Sequence, residues 1–164
     1  MSDIAIRDAN EADFAAMVAL NAAEVRHTSP MDEARLRHLD ALATYHKVAT
    51  VDGAVAAFLF VMENGCDYAN ENFEWFAARY DAFLYVDRIV VGSDYQGLRL
   101  GTLLYQGLFD YARSHDIATI ACEYNLVPPN EPSRIFHDKF GFQEVGSQWL
   151  GGGAKQVSLQ VAKT

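Results

Sequence analysis

The segment that most constrains this chain is a β-branched apolar run, residues 83–91, that passes through a short glycine-containing loop straight into an amphipathic helix. Leu100, Leu103, Leu104, Leu108 and Tyr111 recur at helical spacing, so residues 101–114 are expected to be that helix. A strand feeding a helix through such a loop can aim successive backbone N–H groups into one concavity. The unpaired amides and the dipole of the helix N-terminus add positive potential there. The unit is therefore suited to a phosphate without needing basic side chains. It lacks the Gly-Lys-Ser/Thr end of a P-loop and is not a GxGxxG turn. The plain alternative is a helix start whose glycines serve only the turn.

The remaining pattern supplies elements on both sides of this unit. Residues 4–7 read as a strand, and Asn10 with Asp13 marks the start of a helix running to about Val25. Ser29-Pro30-Met31-Asp32 begins a second helix, with proline at its first position and Leu36, Leu39 and Leu42 or Ala43 facing inward. Residues 48–52 and 54–63 form a hairpin across Asp52-Gly53. Residues 64–81 show no clean period. Residues 117–124 are a strand, 132–140 a helix ending at Gly141, and 142–149 with 155–161 a final hairpin. The order βααβββαβαββ predicts one α/β domain over residues 1–164, built around a mixed sheet.

A net charge of −9 on 164 residues argues against nucleic acid and against an anionic membrane surface. No apolar run is long enough to cross a bilayer, and the N-terminus lacks the pattern of a signal peptide. Cys66 and Cys122 show no metal spacing, no other metal site is visible, and a cytoplasmic location is expected.

Two motifs carry a resemblance to the GNAT superfamily of acyl-CoA-dependent N-acyltransferases. Gln96-Gly97-Leu98-Arg99-Leu100-Gly101 resembles its Q/R-x-x-G-x-G/A pyrophosphate loop, with Arg99 where the first motif glycine is usual. Asn130-Glu131-Pro132-Ser133-Arg134-Ile135-Phe136-His137-Asp138-Lys139-Phe140-Gly141-Phe142 resembles its N-x-x-A-x-x-x-Y-x-x-x-G-F element, with Ser133 for alanine and His137 for tyrosine. The resemblance implies a GNAT-like fold, a mostly antiparallel sheet splayed between its fourth and fifth strands. It implies acetyl-CoA as cosubstrate; with no metal site visible in the residues, no metal is expected. Gln96, Gly97, Leu98, Arg99, Leu100, Gly101 and Thr102 would surround the pyrophosphate, Ile89, Val90 and Val91 would run beside the pantetheine, and Asn130 and His137 would complete the cofactor site. An amine of a small molecule or peptide would attack the thioester directly, and a homodimer is left open. A catalytically idle acyl-CoA-binding or sensing module of the same fold is the alternative.

Relatives often place the base on the fourth strand, nine to eleven residues before the motif glutamine. That window holds Tyr85 and Asp87, on one strand face. Asp87 is either the base or the partner of Arg88 or Arg79; Glu123 is a second carboxylate, with a solvated or ion-paired role as its alternative. His137 stands where relatives use a tyrosine acid, or else it packs against Phe136 or Phe140. In residues 64–81, Tyr68, Phe73, Trp75 and Phe76 interleave with Asp67, Glu71 and Glu74, a composition able to hold a cationic amine. Tyr68, Phe73, Trp75 and Glu74 are the expected acceptor contacts, unless the rings only anchor the segment to the core.

Overall fold

A computed structural model describes residues 2–24 and 29–164 of the chain. Among the described residues the order is β1 (Ile4–Asp8), α1 (Phe14–Ala23), α2 (Glu33–Leu42), β2 (Tyr45–Val51), β3 (Ala54–Glu63), α3 (Glu71–Ala77), β4 (Leu84–Val91), α4 (Leu100–Ser114), β5 (Thr119–Val127), α5 (Glu131–Lys139), β6 (Gln143–Leu150) and β7 (Lys155–Lys163). The strands form one sheet in the order β1-β2-β3-β4-β5-β7-β6. Only β4 and β5 run parallel, so the expected mixed, mostly antiparallel α/β sheet is present. The chain forms two compact units, Met1–Met62 with Asp87–Tyr111, and Glu63–Val86 with Ala112–Thr164.

In the first unit the local signals explain the elements. Asn10 accepts from the Ala12 amide while Asp13 accepts from the Asn10 amide, a reciprocal cap at the entrance to α1. Asp13 also receives both guanidinium nitrogens of Arg7, each at 2.8 Å, which fixes β1 to the helix start. The expected end of α1 near Val25 lies outside the described residues. Helix α2 starts later than Pro30 suggested, because the Asp32 carboxylate caps the Arg35 amide at 2.8 Å and sets the first turn. Leu36 and Leu39 are fully buried, as their spacing predicts. Asp52 and Gly53 both have positive φ, 51° and 85°, which is the twist a two-residue hairpin between β2 and β3 requires. From α4, Leu100, Leu104, Tyr105 and Leu108 are buried, whereas Leu103 is exposed and belongs to the outer face. Each fully buried leucine contributes roughly 1.5–3 kcal/mol relative to an exposed one.

In the second unit, β5, β7 and β6 pair antiparallel, and the β4–β5 ladder places Leu84 opposite Ile120 and Tyr85 opposite Ala121. The stretch without a clean period contains a helix that the sequence reading did not predict. Asn70 caps α3 by accepting from the Asn72 and Phe73 amides, and Phe73 and Phe76 turn inward. Gly146 on β6 packs against the Trp75 ring, where a methyl group at that position would collide with the indole.

Candidate active site

The first unit contains the strand–loop–helix segment. Beyond β4, the Gly92 amide donates to the Ala56 carbonyl at 2.8 Å, and the Gln96 side-chain amide reaches back to the Val91 carbonyl at 3.3 Å. Gly97 takes φ of 86°, and Arg99 takes 61°, the left-handed region a side chain enters at a cost of about 1–2 kcal/mol. Arg99 thus adopts the kind of backbone conformation that suits the glycine usual at this motif position. Its carbonyl accepts from the Leu103 amide at 3.0 Å, the first bond of α4. The amides of Leu100, Gly101 and Thr102 precede that bond and lack an intrahelical partner by the geometry of a helix start. Gln96, Gly97 and Arg99 are exposed, Leu98, Gly101 and Thr102 are half-buried, and Leu100 is buried. Backbone donors at a helix start of this kind suit an anion.

On β4 itself, Val90 is buried and Ile89 and Val91 are half-buried. Asp87 does not stand alone as a strand carboxylate. Its Oδ2 accepts from Arg88 Nε at 2.8 Å, and both side chains are about 95% shielded, at 4% and 5% exposure. Arg88 Nη1 donates to Asn21 Oδ1 at 3.1 Å and to the Ser29 carbonyl at 3.0 Å, and Asn21 donates to the same carbonyl at 2.9 Å. These bonds make up the ion-paired alternative for Asp87, and no local sequence pattern marks the partners on α1 and at Ser29.

In the second unit, Tyr85 and Glu123 come together across the parallel pair. The Tyr85 hydroxyl donates to the Glu123 carboxylate, 2.8 Å from Oε1 and 2.7 Å from Oε2. Tyr85 is fully buried, with its ring centre 5.6 Å from Phe73, 6.0 Å from Phe76 and 6.4 Å from Tyr68. Tyr68 and Phe73, expected to face an acceptor, are therefore core rings that wall the Tyr85 phenol. Glu74 is exposed and Trp75 half-buried. The open indole face already carries a cation: the Arg79 guanidinium sits 3.9 Å above the ring and donates to the Trp75 carbonyl at 2.9 Å.

His137 is 3% exposed, between Phe136, Phe142 and Tyr124. Its Nδ1 lies 2.7 Å from the Ser133 carbonyl, which can only accept, so Nδ1 carries the proton. Burial is the main force on this imidazole and holds its pKa below the ordinary 6.5, against the opposing hydrogen bond to Ser133 and the charge of Asp138. A buried, neutral ring of this kind matches the packing alternative and is poorly suited to protonating a thiolate near pH 7. Asn130 uses its side-chain oxygen to cap α5 at the Ser133 amide, 3.3 Å away. On β5, Tyr124 accepts from Gln160 at 3.1 Å, and burial raises its phenol pKa, keeping the proton in place at neutral pH.

His46 behaves like His137. Burial against Phe60 lowers its pKa, while Asp40, 2.7 Å from Nδ1, pulls the other way together with Asp13 and Asp8. An unfolded chain binds protons to both imidazoles at a higher pH than the folded one does. Stability is therefore fully present above about pH 6.5 and lost as pH falls below it, by at most about 1.4 kcal/mol per pH unit and histidine. Thermal melts between pH 7.5 and 5.5 should show this decline, and His137→Gln should flatten it. A decline of unchanged slope in that variant would remove His137 from the account.

Among the described residues no group of His, Cys, Asp and Glu is placed to hold a metal ion, and no helix is long and apolar enough to cross a membrane.

Comparison with known proteins agrees with this geometry. Residues 6–142 match the acetyltransferase (GNAT) family. A search of curated protein sequences gives no significant match. Among solved structures, Ard1 from Thermoplasma volcanium superposes with a TM-score of 0.81 at 13% identity, covering 98% of this chain and 97% of that one. A GNAT-family acetyltransferase from Streptococcus pneumoniae gives 0.73 at 21%, covering 98% and 99%. A putative acetyltransferase from Salmonella typhimurium, solved with acetyl-CoA, gives 0.71 at 20%, covering 99% and 94%. At these identities the likeness is one of fold. The family match over residues 6–142 marks the class as an acyl-transfer enzyme. Within that class, the chain belongs to the GNAT family of N-acetyltransferases.

Proposed function

We propose that the whole chain acts as one cytoplasmic acetyltransferase domain that moves the acetyl group of acetyl-CoA to an amine of a small molecule or peptide. The match to the acetyltransferase family over residues 6–142 carries this reading. The pyrophosphate is held by the backbone of residues 96–102, with Arg99 as its one cationic neighbour, and the pantetheine runs beside Ile89, Val90 and Val91. A β4 backbone amide near Val90 or Val91 stabilises the charge that develops on the thioester oxygen. Glu123, held by Tyr85, takes the proton from the attacking amine. The new bond joins the amine nitrogen to the acetyl carbon, the carbon–sulfur bond breaks, and the thiolate leaves protonated. Tyr124 replaces His137 as the group proposed to supply that proton, because its phenol is protonated at neutral pH.

The test is thermal stabilisation by acetyl-CoA followed by thiol release with pooled amines, amino acids and peptides. Acetyl-CoA at 100 times its dissociation constant should stabilise by about 2.7 kcal/mol. Stabilisation without thiol release from any acceptor would favour the binding-only module. Gly101→Asp places a side chain and a negative charge at the first turn of α4. Acetyl-CoA affinity should fall at least tenfold, about 1.4 kcal/mol, with the fold retained. Unchanged affinity in the folded variant would move the phosphate site elsewhere.

A further inference from the structure

We propose that Tyr85 is a positioning residue for Glu123, and that the buried rings of the α3 segment exist to hold that phenol rather than to contact an acceptor. The inference rests on the reading of Glu123 as the base. The β4–β5 register sets Tyr85 opposite Ala121, and Glu123 lies two residues further along β5 on the same face. The phenol therefore points along the strand at the carboxylate, and it meets both oxygens at nearly equal distance. A donor centred between the two oxygens fixes the carboxylate plane, and one phenol takes only a fraction of a carboxylate's acceptor capacity.

Tyr85 itself has little freedom. Phe73 meets it edge-on, Phe76 and Tyr68 are tilted against it, and Phe73 packs in turn on Phe83 and Tyr68. Of these rings Phe76 is fully buried and Phe73 and Tyr68 nearly so. A phenylalanine at 85 would occupy the same space, so the hydroxyl and its bond to Glu123 are what tyrosine adds. Beside Glu123 on β5 stand Cys122, whose thiol is pushed well above its ordinary value by burial first and by the Glu123 charge second, and Tyr124, whose phenol pKa burial raises. Cys122 therefore stays neutral across the working pH range.

A hydrogen bond donated to a carboxylate favours its charged form, so removing the donor moves its titration upward. In Tyr85→Phe, turnover should fall at least tenfold with the Michaelis constant for acetyl-CoA unchanged. The acid limb of the pH–rate profile should move up by about one to two pH units. In the Glu123→Gln background, adding Tyr85→Phe should cost nothing further, because a positioning residue has no effect once the group it positions is gone. An unmoved acid limb in folded Tyr85→Phe, or additive losses in the double variant, would overturn the proposal. If Tyr85→Phe does not fold, Phe76→Leu loosens the cage and keeps the phenol. It should lower turnover and shift the acid limb in the same direction, and an unmoved limb there would equally overturn it. Full activity in Glu123→Gln would instead remove the base assignment, a result distinct from either outcome at Tyr85.

Discussion

Glu123→Gln should lower turnover by about 10²–10⁴-fold, with acetyl-CoA expected to bind as tightly as before. The range is the typical contribution of a positioned general base. Glutamine keeps the length and shape of the side chain and still accepts from the Tyr85 hydroxyl through its carbonyl oxygen, so the fold has little reason to change. What disappears is a site able to take the proton from an attacking ammonium. The variant should lack the acid limb set by Glu123, so its deficit should be largest above that limb and shrink as pH falls below it. Single-turnover acetyl transfer, read beside the acetyl-CoA dissociation constant, separates chemistry from binding. Turnover within about threefold of the wild type would mean that solvent accepts the proton, and Glu123 would then be a partner for Tyr85 alone.

Much of the architecture was legible because neighbouring residues carry it. Asn10 with Asp13, Asp52-Gly53, and the 100/104/108 spacing of α4 each announce an element within a few positions. Helix α3 was missed although Asn70 with Glu71 and Glu74 carries the same start signature, because seven residues give too short a run for helical periodicity to stand out. Its aromatics looked like a binding wall for the same reason: burial decides whether Phe73 is core or contact, and composition does not report burial. The pairing of Tyr85 with Glu123 spans 38 positions and depends on the β4–β5 register, which no local pattern encodes. The phosphate loop shows the opposite case. Its strand, turn and helix are contiguous, so the sequence located it, and even the positive φ of Arg99 falls where the family motif has glycine.

Arg88→Met should destabilise the protein by about 3–5 kcal/mol, the usual loss when one member of a buried ion pair is removed. For a chain of this size that corresponds to a fall in Tm of roughly 10 °C. One guanidinium serves the Asp87 carboxylate, the Asn21 side chain and the Ser29 carbonyl, so methionine replaces its volume while withdrawing three hydrogen bonds from a buried cluster. The network ties β4, the end of α1 and Ser29 together within the first unit, and its loss should appear as an unfolding effect before any kinetic one. Asp87→Asn separates this role from catalysis. Asparagine still accepts from Arg88 but carries no charge, so stability should fall, whereas turnover measured well below the melting transition should stay within about threefold of the wild type. If Asp87 were the base, the order would reverse, with a fall of two or more orders of magnitude in turnover and little change in Tm. Glu123→Gln and Asp87→Asn thus form a matched pair, each removing one carboxylate charge, with the kinetic loss expected at position 123 and the thermal loss at position 87.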